Sequence, residues 1–342
     1  MRDDEPAKVV CFGELLMRLS PPADELLLQS PRLEVYFGGA EGNVAVSLAV
    51  LGQRSTIVST LPAGPLGAAC VRELRRQGVD VGALREGEGR LGVYFLVPGA
   101  QRRAAQVVYD RTQSAFALAP AGAYDWPRLL TGAGWLHLSG IDLAVSPAAA
   151  EAALAAVRVA RERGVKVSFD CNFRPTLWGA RLAEAPDLLR EAMAGASLAF
   201  AGAHELAWIV GGTDDATDAA GFADAAQAAF ARWPRLQRVA TTGHVASEDG
   251  RHRLRGLLAQ RGAALATTPA YAVDATLGRV GSGDAFAAGI LYGLLRGHAA
   301  ADTLAFATAA ACLKYGVPGD ANLLDAAAMH AFAASRPGAV VR

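Results

Sequence analysis

The feature that most constrains the fold is a repeated alternation of helical and strand patterns in the second half of the chain. An amphipathic helical pattern runs from AEAALAAVRVARERG into the apolar segment VKVSFD, and FADAAQAAFARWPRLQ runs in the same way into RVATTG. Between them, ASLAFAGAHEL is predicted to form a further strand. Strands that alternate with helices pair in parallel, and the helices cover both faces of the sheet. We therefore predict an α/β fold with a mainly parallel sheet, opened by the buried strand KVVCFGELL.

Two regions near the N-terminus interrupt this alternation with short strand patterns. The first contains LLMRLSPP and PRLEVYFGG, and the second contains RLGVYFLVPG and RRAAQVVYDR, which we predict to form a hairpin that turns through PGAQ. Such strands predict a small β-sheet lid, inserted at about residues 15–39 and 90–112 of one domain that spans residues 1–342. The alternative is that they lie at an edge of the main sheet.

The charge balance excludes several classes of partner. Lys plus Arg and Asp plus Glu both number 33, which gives a net charge of zero, so no overall field attracts nucleic acid or an anionic membrane. Apolar runs stop well short of the ~20 residues that a membrane helix needs, and the segment MRDDEPAKVV lacks an apolar signal core. We expect a cytoplasmic protein. Isolated cysteines without metal-ligand spacing are predicted to be buried free thiols, and these are Cys11, Cys70, Cys171 and Cys312.

The stretch VGSGDAFAAGILYGLL combines a glycine-rich loop with a helical pattern. Its apolar residues recur at the spacing of one buried helix face, which predicts a helix that starts near Gly283. The first turn of a helix leaves backbone N–H groups without partners, so the amides of Gly281, Ser282 and Gly283 are predicted to cradle an anion such as a phosphate. Asp284 follows directly. From the residues alone it is either a functional carboxylate or an acid that compensates the helix dipole.

Three motifs in a fixed order resemble those of the ribokinase-like (PfkB) sugar kinase family. They are FGGAEGNVAVSLAVLG, DCNFRPTLW and VGSGDAFAAG, while VVYDRTQSAFALA, HLSGI and KYGVPGDAN are most similar to the 2-keto-3-deoxygluconate kinase branch. The resemblance implies a three-layer core with a β-sheet lid over a sugar. It also implies that ATP binds against the C-terminal half and that Mg²⁺ assists an in-line phosphoryl transfer to a sugar hydroxyl.

The resemblance also implies roles for individual residues. Asp284 would be the general base that takes the proton of the attacking hydroxyl, and the loop amides would stabilise charge on the γ-phosphate. The sugar-binding residues would be Gly39, Ala40, Asn43, Tyr94, Tyr109, Arg111, Arg174, Asp284 and Asp320. The nucleotide-binding residues would be Asn172, Arg174, Thr242, Gly243, Gly281 and Gly283. Guanidinium groups suit the carboxylate of a sugar acid, so the two arginines indicate an acidic substrate.

Single members of this set also have a purely structural explanation. Gly39 fits a strand-to-helix turn, Tyr94 fits a half-buried strand of the lid, and Asp320 fits an ordinary turn. The functional interpretation depends on the motifs occurring together and in order.

The nucleotide side departs from the family pattern. Many family members carry an Asn-x-x-Glu motif near the end of a core strand. In GAHELAWIVGG we expect Ala203 and Leu206 at its two polar positions, and we expect the remaining polar residues, His204 and Glu205, to be solvated. A Lys-x-Gly pattern is replaced by the sequence TTG at residues 241–243, and Gly278 stands where relatives carry Asp. These changes predict weaker handling of ATP and the metal.

The observations favour an ATP- and Mg²⁺-dependent kinase that phosphorylates the terminal hydroxyl of 2-keto-3-deoxygluconate. A neutral-sugar kinase of the fructokinase or ribokinase type is one alternative, and a sugar-acid binding protein that has lost efficient transfer is another. A dinucleotide oxidoreductase is disfavoured because no GxGxxG motif directly follows the first strand. Exposed lid strands invite edge pairing, so we expect a homo-oligomer, and specifically a lid-to-lid dimer.

Overall fold

The computed structural model describes residues 7–22, 25–97, 99, 105–212, 218–246, 252–273 and 280–334. The strands in these ranges are β1 (Lys8–Phe12), β2 (Leu16–Ser20), β3 (Glu34–Gly38), β4 (Ser55–Pro62), β5 (Leu84–Gly87), β6 (Gly92–Val97), β7 (Gln106–Asp110), β8 (Ala133–Ser139), β9 (Lys166–Asp170), β10 (Leu198–Phe200), β11 (Arg238–Ala246), β12 (His252–Gln260), β13 (Ala266–Thr267) and β14 (Tyr271–Ala272). The helices are α1 (Ala40–Val50), α2 (Pro65–Arg76), α3 (Ala115–Leu118), α4 (Trp126–Leu129), α5 (Gly140–Val145), α6 (Pro147–Glu162), α7 (Pro175–Trp178), α8 (Ala185–Gly195), α9 (Ala203–Val210), α10 (Ala219–Arg232), α11 (Ser282–Leu295), α12 (Ala300–Lys314) and α13 (Ala326–Ala334).

The main sheet confirms the predicted parallel α/β architecture. Its strand order is β13-β12-β11-β10-β9-β8-β1-β4-β5, and β14 pairs with β12. Every pairing from β11 to β5 is parallel, whereas β12 pairs in the antiparallel sense with β11, β13 and β14. The carboxyl ends of the parallel strands therefore meet at one edge, where open α/β sheets bind their ligands.

Two apolar cores flank this sheet, as alternation along a buried parallel strand requires. In β1, Val10 and Phe12 belong to one core, and Val9 and Cys11 belong to the other. Phe12 contacts three aromatic rings, those of Phe116, Tyr124 and Trp126, at centroid distances of 5.3, 5.0 and 4.9 Å. Helices thus cover both faces, which confirms the three-layer arrangement. The four cysteines are free and buried, as predicted.

One predicted strand is shorter than expected. In ASLAFAGAHEL only Leu198–Phe200 forms a strand, and helix α9 begins at Ala203. The helix begins there because Gly202 is its N-cap, and the Gly202 amide donates to the Glu205 carboxylate at 2.9 Å. The prediction of a strand through Leu206 was therefore wrong.

The lid is a separate four-stranded sheet in the order β3-β2-β6-β7, so the alternative of edge strands in the main sheet is wrong. β6 and β7 form the predicted antiparallel pair, whereas β2 and β6 run in parallel. In the predicted turn PGAQ, all residues except Gly99 lie outside the described ranges. None of the described helices is long and apolar enough to cross a membrane.

Each face of the lid carries a row of side chains that runs across all four strands. Opposed residues on paired strands share a face, and successive residues alternate between faces. The register places Tyr36, Arg18, Tyr94 and Tyr109 in one row. It places Val35, Leu19, Phe95 and Val108 in a row on the opposite face. The first row lies against the turn that contains Asp320, as described below, so this face of the lid covers the candidate site.

Candidate active site

The predicted anion loop lies at the N-terminus of α11. The helix begins at Ser282, next to the predicted start, and Gly281 is its N-cap with a left-handed φ of 78°. A Cβ atom on Gly281 would lie 1.7 Å from the main-chain oxygen of Asp320, so no other residue fits without displacing the backbone. The amides of Ser282 and Gly283 belong to the first turn and have no helical acceptor. This geometry provides the donors that an anion needs.

Asn43 and Asp284 meet although 241 residues separate them in the sequence. The Asn43 side-chain amide donates to Asp284 Oδ2 at 2.6 Å, and it comes from the first turn of α1, for which Gly39 is the N-cap. Gly39 has a φ of 136°, and a Cβ atom there would lie 2.1 Å from the Glu14 carbonyl oxygen. The sequence motif at residues 37–52 and the anion loop are therefore parts of one site, with Ala40 at the start of the connecting helix.

The Asp284 carboxyl has a pKa of about 6, compared with an ordinary value of 3.8. Burial raises it most, the Asn43 hydrogen bond lowers it, and the negative charge of Asp320 raises it further. The positive charges of Arg174 and Lys314 lower it. The carboxyl is consequently ionised at neutral pH but is more basic than an exposed Asp.

Asp320 connects the lid to the body of the protein. Its carboxylate accepts hydrogen bonds from Arg18 Nη1 at 2.6 Å and from the Tyr94 hydroxyl. The Tyr94 ring lies 5.7 Å from that of Tyr109, which is 53% exposed and borders the open side of the lid. The structure therefore brings together Tyr94, Tyr109 and Asp320, three of the predicted sugar-binding residues. It adds Arg18, which the sequence analysis missed.

Arg111 has an internal partner that the sequence analysis also missed. Its Nε donates to Glu14 Oε2 at 2.8 Å, its Nη2 bonds to the same oxygen, and both side chains are buried. Within the described residues, Nη1 of Arg111 makes no hydrogen bond. A substrate carboxylate could therefore meet one edge of this guanidinium and not the whole fork, because Glu14 already occupies the other edge.

A second group of site residues follows the carboxyl end of β9. The main-chain N–H of Asn172 donates to Asp170 Oδ1 at 3.1 Å, and Asn172 has a left-handed φ of 36°, an uncommon conformation for a residue other than glycine. Its side-chain oxygen is buried and has no partner within the described residues. Arg174 is exposed at the N-terminus of α7, and its charge lowers the pKa of both Asp170 and Asp284. This segment therefore borders Asp284, and the binding roles of Asn172 and Arg174 stay predictions.

Buried acids surround the site. Burial raises the pKa of Glu41 to about 7, a hydrogen bond from Ser139 lowers it, and the charge of Asp284 raises it. Burial, followed by the charges of Asp284, Glu205 and Glu41, also raises the pKa of Asp170 well above its usual range. These carboxyl groups therefore disfavour one another's ionisation at this edge of the sheet, and a cation that approaches it would favour their charged forms.

The nucleotide side is only partly assembled by the described contacts. Thr242 and Gly243 lie in β11 opposite Gly256 and Arg255 of β12, and no hydrogen bond within the described ranges joins them to the anion loop. Gly278 lies outside the described residues. The prediction that Thr242 and Gly243 bind the nucleotide therefore stays a prediction.

Neither expected position of the Asn-x-x-Glu pair presents a polar side chain to the site. Leu206 is fully buried in the apolar core, so it does not face a ligand. Glu205 caps α9 and raises the pKa of Asp170 by its charge, so it is not simply solvated. Glu205, and not Leu206, is therefore the residue of this segment that lies near the acids of the site.

The position of Asp284 leads to a prediction about stability. Because its pKa is about 6 in the folded protein and near 3.8 in an unfolded chain, ionisation of the folded form costs stability as the pH rises from about 4 to 6. We expect Asp284→Asn to raise the free energy of unfolding at pH 8 by about 1–2 kcal/mol and to give no such gain near pH 4. Urea denaturation at both pH values measures the difference. Asp302→Asn is the control, since Asp302 is an exposed acid in the first turn of α12. Equal stability of the wild type and Asp284→Asn at pH 8 would contradict the prediction.

Known proteins are similar to this chain in sequence and in fold. The family model for pfkB family carbohydrate kinases matches residues 6–327. The chain is 31% identical over 320 residues to the 2-dehydro-3-deoxygalactonokinase of Haloferax volcanii, covering 92% of each chain. It is 30% identical over 307 residues to a fructokinase of Klebsiella pneumoniae, covering 87% of each chain. The fold matches that of the 2-dehydro-3-deoxygluconokinase of Thermotoga maritima with a TM-score of 0.90 at 33% identity, covering 96% of this chain and 98% of that one. The chain therefore belongs to the PfkB family and is a carbohydrate kinase.

Proposed function

We propose that this kinase transfers the γ-phosphoryl group of ATP to the terminal hydroxyl of a 2-keto-3-deoxy sugar acid, with 2-keto-3-deoxygluconate as the leading substrate. The observation that carries the proposal is the 2.6 Å hydrogen bond from Asn43 to Asp284. It joins the sugar-side motif to the anion loop, so a hydroxyl held beside Asn43 would be within reach of the carboxylate. The similarity to two kinases named for 2-dehydro-3-deoxy sugar acids supports this substrate class.

Asp284 has the properties that a general base needs. With a pKa of about 6 it is ionised at neutral pH, and it accepts a proton more readily than an ordinary Asp. A primary alcohol is a weak nucleophile, so the carboxylate takes its proton as the oxygen attacks the γ-phosphorus. The bond from that phosphorus to the bridging oxygen breaks, which releases ADP and a sugar phosphate. The amides of Ser282 and Gly283 stabilise the charge on the transferred group.

ATP and Mg²⁺ complete the proposed reaction. Within the described ranges, no group of three or more His, Cys, Asp or Glu side chains is arranged to hold a metal ion. Mg²⁺ does not need such a group, because it usually binds through substrate phosphates, water and one or two carboxylates. The neighbouring carboxyl groups of Asp170 and Glu205 fit that smaller role, since the charge of Glu205 raises the pKa of Asp170 and a bound cation would offset that repulsion. The Asn172 side-chain oxygen is an acceptor without a partner within the described residues, and it fits a water molecule beside the phosphates.

The acid group of the substrate is proposed to bind Arg174 and the free edge of Arg111. Arg174 is exposed and carries its charge toward Asp284, whereas Arg111 is held in place by Glu14. A neutral-sugar kinase is the second candidate, because the similarity to the Klebsiella fructokinase extends over most of both chains. The two candidate functions differ in whether the sugar must carry a carboxylate in order to bind.

The first prediction from the proposed function concerns the general base. We expect sugar-dependent ADP formation by the wild-type protein. Because the nucleotide side is altered, the concentration of ATP or Mg²⁺ needed for half-maximal rate should be higher than in family members that keep the Asn-x-x-Glu and Lys-x-Gly motifs. Asp284→Asn should lower turnover by about 10²–10⁴-fold, since the carboxylate no longer accepts the proton, while calorimetry should show that sugar binding persists. Asp302→Asn should keep wild-type turnover.

Two results would overturn this mechanism or this activity. Near wild-type turnover by Asp284→Asn would remove Asp284 as the base. If the wild type binds a sugar acid but forms no ADP with any sugar, the proposed reaction fails, and the protein is a sugar-acid binding protein.

The second prediction concerns substrate selectivity. Arg174→Gln should raise KM for 2-keto-3-deoxygluconate by about 10–100-fold, because it removes charged hydrogen bonds to the carboxylate, and should leave KM for fructose within about threefold. Initial rates with both sugars at saturating ATP measure this. Arg158→Gln is the control, since Arg158 is an exposed arginine paired with Glu191. Equal losses for the acid and the neutral sugar would mean that Arg174 does not read the carboxylate.

The third prediction concerns assembly, and it follows from the apolar row on the outer face of the lid. Val35 and Val108, which end this row, are 54% and 51% exposed, as expected of a surface that a second copy covers. We infer a homodimer joined through this face. Val108→Asp should convert the dimer to a monomer in sedimentation experiments, whereas Leu118→Asp, at an equally exposed leucine outside the lid, should not. A monomeric wild type at micromolar concentration would refute the dimer.

A further inference from the structure

Lys314, at the C-terminus of α12, is a buried lysine that the proposed reaction does not use. Only 2% of the residue is exposed, and its ammonium donates to the carbonyl oxygens of Val317 at 2.8 Å and Gly319 at 2.9 Å. Burying a charged amine is costly unless its surroundings compensate it. The Lys314 ammonium closes the turn from residue 317 to residue 320 through these two hydrogen bonds, and we call this segment the support turn.

The support turn lies directly beneath the anion loop. The Cβ position of Gly281 is 1.7 Å from the main-chain oxygen of Asp320 and 3.3 Å from Cε of Lys314. The neighbouring Ser282 hydroxyl donates to the carbonyl oxygen of Ala311, near the end of α12. The anion loop therefore lies on α12 and the support turn, and a movement of that turn would displace Gly281.

The same turn also holds the lid. The Asp320 side chain binds Arg18 and Tyr94, and the Cβ position of Gly319 is 3.2 Å from the Tyr36 ring. Three neighbouring lid strands thus contact a turn whose main chain supports the anion loop. In the proposed reaction the sugar lies under the lid and the transferred phosphoryl group lies on the anion loop. The support turn contacts both elements, so it fixes their relative position.

We propose that Lys314 is a positioning residue for phosphoryl transfer, which fixes the support turn under the anion loop and places a positive charge behind Asp284. This inference rests on the proposed function, because it concerns the transfer step. Lys314 touches neither the sugar nor the phosphate and acts through Gly281, Asp284 and Asp320.

The charge of Lys314 has a consequence that a purely structural lysine would not have. Burial lowers the pKa of Lys314 to about 8, so the amine is still protonated at neutral pH, and its charge lowers the pKa of Asp284. The other groups that influence Asp284 are the amide of Asn43, the guanidinium of Arg174 and the carboxylates of Asp320, Asp170 and Glu41. Loss of the lysine charge removes a cation from this set, so the Asp284 carboxyl should hold its proton to a higher pH.

The test compares Lys314→Gln, Lys314→Met and the wild type in kcat from pH 5 to pH 9. Gln keeps a hydrogen-bond donor for the carbonyls without the charge, and Met removes both. We expect both variants to move the acid limb of the kcat profile to higher pH by about one unit. At pH 8, kcat of Lys314→Met should be about tenfold lower than that of Lys314→Gln, because Met cannot donate to the carbonyl oxygens of the support turn. KM for the sugar should change little. Lys166→Gln is the control, because Lys166 is exposed at the opposite end of β9 from Asp170.

Each outcome decides the inference. The melting transition of Lys314→Gln first confirms that this variant folds. If its acid limb then stays at the wild-type pH, the positioning role of Lys314 is overturned while the proposed function stands. If Met does not fold, the Gln profile alone decides. A wild type that forms no ADP with any sugar overturns the proposed function and this inference together.

Discussion

The hydrogen bond between Asn43 and Asp284 is the contact on which the rest of the site depends. It requires that α1 and α11 present their first turns to each other, although they lie near opposite ends of the chain. Both helices begin at glycines whose φ values are positive and whose missing side chains leave room for the backbone of another segment. A side chain at Gly39 would meet the carbonyl oxygen of Glu14, and a side chain at Gly281 would meet that of Asp320. The two glycines therefore allow each helix start to lie against the segment beside it.

The electrostatic character of the site follows from how many carboxyl groups share this edge of the sheet. Glu41, Asp170 and Asp284 are all less acidic than usual because burial and mutual repulsion favour their protonated forms. Arg174 and Lys314 partly offset this charge. The arrangement is unfavourable for folding, and proteins commonly accept such a cost where function needs it. A bound cation would reduce the repulsion among these carboxyl groups further, so cation binding should stabilise the folded protein.

Much of this site could be predicted from the sequence because its residues lie in contiguous motifs. The helix start at the glycine loop, the lid strands and the residues Asn43, Tyr94 and Asp320 were all found from local pattern and resemblance. The partners Glu14, Arg18 and Lys314 were missed, since each acts through a contact with a residue that lies elsewhere in the chain or in an adjoining turn. Arg18 did leave one signal, a charged residue inside the short lid strand LMRLS, where a free surface position was the simpler interpretation.

The segment GAHEL shows how the interpretation of a motif depends on local structure. The sequence pattern predicted a strand through Leu206, but the N-cap at Gly202 starts a helix, which places Leu206 in the core and Glu205 near Asp170. The roles of Thr242 and Gly243 depend on a nucleotide, which no pattern in the chain can position by itself.

The parallel pairing of β2 with β6 has a consequence for how the molecule reaches its native state. These strands are neighbours in the lid, yet the chain between them passes through β3, α1, β4, α2 and β5, much of which belongs to the main sheet. The lid consists of two excursions from the body, and neither contains the whole sheet. Its central pairing closes a long loop, whose entropy cost falls once the intervening elements have docked. The lid should therefore form after the body and unfold before it, so that partial unfolding exposes the sugar side of the site while the main sheet remains intact.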